Sequence, residues 1–116
     1  MKKKMTVIVA VMFLCFGSVF ALDLDFTLIN GTGVDIYEVY VSPVESDDWG
    51  DDILEDDILF DEEDMLITFG DQHTSRYWDI LCIDEDYDEY YLEEIDLTEV
   101  SLIIVVWEDG PAFYYE

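Results

Sequence analysis

Carboxylates are the side chains in this chain whose number and spacing could do chemistry. From Ser42 to Asp64 the sequence reads SPVESDDWGDDILEDDILFDEED: twelve acidic residues, one Trp, one Gly, no base, and Asp-Asp-Ile-Leu twice, at 51–54 and 56–59. A hard cation wants such a set, since Ca²⁺ takes roughly six to eight oxygen ligands and an irregular loop can supply them. Asp47, Asp48, Asp51, Asp52, Asp56 and Asp57, gathered around Trp49-Gly50, are therefore the leading calcium candidates. Like charges about 4–6 Å apart cost stability unless a cation sits among them. The bland alternative is a solvated acidic loop, anchored to the core by Trp49 and Leu54 while the acids face water.

A second, weaker candidate is Asp84, Asp86 and Asp88, whose DxDxD spacing lets a tight loop point carboxylates inward. An EF-hand loop starting at Asp84 would want Gly at its sixth position and Glu at its twelfth. Glu89 and Ile95 stand there instead, and flanking helical patterns are absent. The bland reading is the solvated tip of a hairpin.

Other chemistry finds little support. With 30 acids, some pair lies at any distance a glycosidase would need, so that signal has no specificity. His73 is the only histidine, in a polar loop beside Thr74 and Ser75, and no serine has a nucleophile-elbow context. One His and one apolar-flanked Cys cannot build a tetrahedral zinc site. No glycine-rich phosphate loop is present. The expectation is a non-enzyme.

Residues 1–21 read as a secretory signal peptide. Lys2-Lys3-Lys4 are followed by the apolar run Met5–Phe16, and Val19 and Ala21 suit a cleavage site. The run is short for a span of roughly 20 residues, so no membrane anchor is expected after cleavage. Phe13 and Leu14 before Cys15 are too large for a lipidation site, which makes Cys15 an ordinary member of the run. The expected mature domain, 22–116, is secreted or periplasmic. It keeps Arg76 as its one strong base against 30 acids, so its formal charge is 1 − 30 = −29. Nucleic acid and anionic membrane are poor partners for such a surface, because both bind through positive charge. A basic protein is a good one. Tyr37, Tyr40, Trp49, Tyr87, Tyr90, Tyr91, Tyr114 and Tyr115 offer aromatic anchors for it.

Apolar residues dense enough for a thin core argue against disorder. Leu22–Ile29 alternates with period two. Val34–Val41 is β-branched and aromatic, with Tyr37, Val39 and Val41 expected on one face and Pro43 ending the strand. Met65, Ile67 and Phe69 alternate again. Arg76–Ile83 places Trp78, Ile80 and Cys82 together, and Cys82 reads as a small buried hydrophobe with no disulfide partner. Glu89–Leu92 follows. Leu102–Trp107 is apolar on both faces and so should be central. Asp109-Gly110 turns the chain into Ala112–Tyr115 as an edge. Ser46 is expected to cap a short helical turn over Asp47–Leu54. The fold class is all-β: a single-domain β-sandwich of Ig-like size, with seven to eight short strands and one short helical turn.

Asn30-Gly31-Thr32-Gly33, Ile36–Pro43, Ser46-Asp47-Asp48-Trp49-Gly50-Asp51-Asp52 and Asp57-Ile58-Leu59, with Trp78-Asp79-Ile80 and Asp84-Glu85-Asp86 later, resemble a group of small exported bacterial proteins of uncharacterised function. The resemblance covers most of the mature chain, and SDDWGDD is its most specific phrase. It implies an exported all-β domain and transfers no functional residue. Those proteins tend to carry Gly where Glu55 and Tyr87 stand here, so both loops are expected to differ locally.

Two function readings follow. One is an exported, non-catalytic acidic module that binds calcium through its Asp-rich loop. The other is an electrostatic interaction module for a basic protein or surface, without metal.

Overall fold

The period-two alternation of apolar side chains becomes seven strands in two sheets in the computed structural model, which describes residues 22–70 and 73–116. The expected leader, 1–21, lies outside the described residues, Cys15 included. The strands are β1 (Phe26–Gly31), β2 (Ile36–Pro43), β3 (Asp64–Ile67), β4 (Tyr77–Asp84), β5 (Glu89–Asp96), β6 (Leu102–Trp107) and β7 (Pro111–Tyr115). One sheet has the order β3-β1-β6-β7 and the other β2-β4-β5.

Their inner faces make the core. Phe26, Leu28, Ile103 and Val105 from the first sheet meet Val39, Ile80, Cys82 and Tyr90 from the second, all fully buried. The β6 strand lies inside its sheet, paired parallel to β1 and antiparallel to β7, as its two apolar faces require. Gly31 sits where β1 and β6 approach closely: a Cβ there would lie 3.1 Å from the Val105 carbonyl oxygen. At the bottom of the sandwich Phe69, His73 and Trp78 pack edge to face, with ring centroids 4.9–5.7 Å apart. His73 is thus a loop residue resting on aromatic rings.

The expected helical turn over Asp47–Leu54 is not formed, and the described residues contain no helix. Short acidic side chains bind their own backbone there instead. Asp48 Oδ1 accepts from Gly50 N–H at 3.0 Å, and Asp52 Oδ1 from Leu54 N–H at 3.0 Å. Such local bonds compete with helical hydrogen bonding. Gly50, with φ +74°, turns the chain the other way. Tyr37 also departs from expectation. A bulge between Ile36 and Glu38 puts Ile36 and Val39 in the core and leaves Tyr37 facing out. Glu55 and Tyr87 both take positive φ, 57° and 65°.

The chain from Ser42 to Leu59 covers one edge of the second sheet. Asp52 Oδ1 accepts from Val39 N–H at 2.9 Å, and Ile53 N–H donates to the Val39 carbonyl at 2.9 Å. Leu59 exchanges both backbone bonds with Ile36. Asn30 ties this segment down from inside the core. Its Nδ2 donates to the Val34 and Leu59 carbonyls, and its Oδ1 accepts from Thr32.

Candidate functional site

β4 and β5 form a hairpin whose tip is Asp84–Asp88. Alternation along β4 buries Trp78, Ile80 and Cys82, and the same phase carries the Asp84 side chain inward, where it is 1% exposed. A buried carboxylate must be hydrogen-bonded. Asp84 Oδ1 accepts from the N–H groups of Asp86 (2.8 Å) and Asp88 (3.0 Å), while Oδ2 accepts from the Tyr90 hydroxyl at 2.7 Å. Tyr87 closes the loop, its N–H donating to the Asp84 carbonyl. Burial, the bond to Asp84 and the charges of Asp84 and Asp88 push the Tyr90 hydroxyl well above its ordinary pKa, outweighing an opposing bond with Thr32.

Around this anchored carboxylate, Asp86 and Asp88 are exposed, and one oxygen from each of the three aspartates lies within 4.8 Å of the others. The trio could hold a metal ion. The residues present fit in part. Three carboxylates lie close together, but Asp84 already spends three acceptor positions on the loop and on Tyr90. Ile95, at the twelfth position, is buried in the core and offers no oxygen.

The six aspartates of the longer loop are arranged differently. Among the described residues, no three of Asp47, Asp48, Asp51, Asp52, Asp56 and Asp57 bring ligand atoms together in this way. Asp47 and Asp48 border a cavity of about 170 Å³ with Ser42, Ser46, Trp49 and Asp79. Asp56 and Asp57 border a separate groove with Leu54, Leu59 and Phe60. Asp51 is exposed, and Asp52 turns in to cap the β2 edge. Leu54 joins the core as the bland reading expects, whereas Trp49 packs on the outer face of the second sheet, 6.2 Å from the Tyr91 ring.

That outer face is the arrangement the sequence reading missed. Strand register aligns Tyr40, Leu81 and Tyr91 in one row across β2, β4 and β5, and Glu38, Ile83 and Glu89 in the next. Each tyrosine donates its hydroxyl to the glutamate of its own strand, Tyr40 to Glu38 and Tyr91 to Glu89. The bond to Glu38 is the main reason the Tyr40 hydroxyl is pushed up to about 12, with burial and the charges of Glu38 and Asp52 adding to it. The signal was present as the same Glu-x-Tyr spacing in both edge strands, Glu38-x-Tyr40 and Glu89-x-Tyr91.

Among the described residues, strong positive charge is confined to one corner. Arg76 donates to Asp96 at 2.7 and 3.1 Å, lies 3.6 Å from Glu99 and covers the Tyr77 ring. Burial alone would raise the Asp96 pKa, but the bonds from Arg76 and Thr98 and the Arg76 charge hold it below its ordinary value. The described residues carry 29 of the 30 acids, Asp71 being the exception, so their formal charge is 1 − 29 = −28.

No family model matches the chain, and no curated protein matches it. Its fold is similar to the NMR structure of a protein from Eubacterium rectale, with a TM-score of 0.56 and 8% identity over 78% of this chain and 85% of that one. At that identity the likeness establishes the two-sheet architecture alone. Among the described residues no helix is long and apolar enough to cross a membrane.

Proposed function

We propose that this β-sandwich is an exported, non-catalytic electrostatic module that binds a basic protein partner. The observation that carries the reading is the uncompensated charge: 29 acids and one guanidinium among the described residues, with that guanidinium already engaged by Asp96. Such a field steers cationic ligands to the surface and repels anionic ones. It also repels a second copy of the chain.

The test is affinity for poly-L-lysine across a salt series, with and without EDTA. Affinity that falls steeply from 20 mM to 500 mM NaCl and ignores EDTA supports the reading. No binding at 20 mM refutes it.

A second reading rests on the gathered oxygens of Asp84, Asp86 and Asp88. Here the hairpin tip holds Ca²⁺ at the roughly millimolar affinity typical of extracellular sites. At ten times the dissociation constant, such binding adds about 1.4 kcal/mol of stability. In a domain of this size that raises the melting temperature by about 6 °C or more. Calorimetry in 10 mM CaCl₂ against EDTA decides it. An unchanged melting temperature removes the metal.

A further inference from the structure

The geometry points to the outer face of the β2-β4-β5 sheet as the docking surface, and to a lysine or arginine side chain of the partner as what it takes. This inference rests on the electrostatic reading and assigns it a place. The face is not an open acidic patch. Chain 44–50 leaves β2 and folds back over it: Ser42 Oγ donates to the Asp48 carbonyl at 2.9 Å, and Trp49 reaches across to Tyr91 on β5. Between that segment and the sheet lies the cavity of about 170 Å³, lined by Trp49, Asp47, Asp48, Asp79 and two serines, with Asp48 and Asp79 each held by one backbone N–H.

An indole beside carboxylates is the combination that recognises a cationic side chain. The ring face attracts positive charge, most strongly for Trp, and the acids supply the counter-charge. Tyr91, half-exposed at 50%, extends the aromatic wall. Its hydroxyl is turned to Glu89, so its ring stays available. On the sheet side the cavity is lined by Ser42 and Asp79, so its floor is polar, while Leu81 in the adjoining row is buried at 5% exposure. A methylene stem could lie against the Trp49 and Tyr91 rings while its charged head meets the acids, as long basic side chains commonly do. A second copy of this chain is a poor occupant, because it brings the same negative charge and, among the described residues, one arginine that is already paired.

The probe is fluorescein-labelled octalysine, with the fully N-acetylated peptide as its uncharged control. In 20 mM NaCl the charged peptide binds and the acetylated one does not. Trp49→Leu and Tyr91→Ala each weaken binding about three- to tenfold. Both keep the slope of log affinity against log salt, because neither removes a charge. Asp109→Asn, at the β6–β7 turn of the other sheet, changes affinity less than twofold. Amide shifts in the wild-type protein, which need no variant to fold, concentrate at Tyr40, Asp48, Trp49, Asp79 and Tyr91. Unchanged affinity in both aromatic variants, with shifts spread over both sheets, overturns the placement but leaves the electrostatic reading standing. Equal binding of the acetylated peptide overturns the cationic occupant. Failure of octalysine to bind at all overturns both.

Discussion

Replacing Tyr90 with Phe tests the hairpin anchor directly. The Tyr90 hydroxyl donates to Asp84 Oδ2 at 2.7 Å, and both side chains are essentially excluded from water. Hydrogen bonds to charged groups contribute about 1.5–3 kcal/mol, and an orphaned buried acceptor bears its full desolvation cost. The ring itself stays packed, so no cavity term is added. We expect Tyr90→Phe to lose about 2 kcal/mol in urea denaturation at unchanged m-value. In a domain of this size that lowers the melting temperature by about 8–16 °C. Asp84→Asn should cost a similar amount, since the amide can still accept from Asp86 and Asp88 N–H but carries no charge for the phenol. A double-mutant cycle should return a coupling of at least about 1 kcal/mol between the two. A loss below about 0.5 kcal/mol for Tyr90→Phe would refute the argument that a buried, charge-assisted bond organises this loop. Restoration of full stability by calcium would show that the metal, and not the phenol, holds Asp84.

Raising NaCl from 10 mM to 0.5 M should increase the melting temperature by several degrees, because screening relieves the self-repulsion of a −28 surface; a flat response would mean that the charge is compensated. Asp96 is held below its ordinary pKa, so the Arg76 pair contributes stability above about pH 3.9 and loses it as pH falls through the folded value. Arg76→Gln should therefore be less stable than wild type at pH 6 and equal to it near pH 2, read by urea denaturation. Tyr40, pushed up to about 12, favours folding below pH 10, and that contribution is lost between about 10 and 12; Glu38→Gln should bring one late-ionising tyrosine back toward 10 in an absorbance titration. Tyr87→Gly should hold or gain stability, by up to about 1 kcal/mol, because φ 65° strains a tyrosine that is 81% exposed and loses little packing.

Much of the sandwich could be read from periodicity. Leu24, Phe26 and Leu28 are buried in strict alternation, and the double-faced apolar run Leu102–Trp107 marks an interior strand. What periodicity could not show was where it slips. The bulge at Ile36–Glu38 inverts Tyr37, and no residue type there marks an extra position. The helical turn failed because Asp48 and Asp52 can cap a helix or bind their own loop, and only the path of the chain decides between them. At Asp84 the signal was available. Trp78, Ile80 and Cys82 set a phase that reaches Asp84 two residues later, yet a carboxylate at a turn reads as solvated unless its buried donor, Tyr90, is known to face it. Six neighbouring aspartates drew attention by density, whereas convergence depends on which side chains the loop turns the same way.

The acidic segment that shields Ile36 and Val39 is also the segment that carries Trp49. Occupancy and solubility are thereby joined. A ligand that seats against the indole without lifting Asp52 leaves the strand hidden, while one that peels the segment away bares a backbone ready to recruit a neighbour. Only partners content with the loop as it lies can be held without turning the protein into an aggregate.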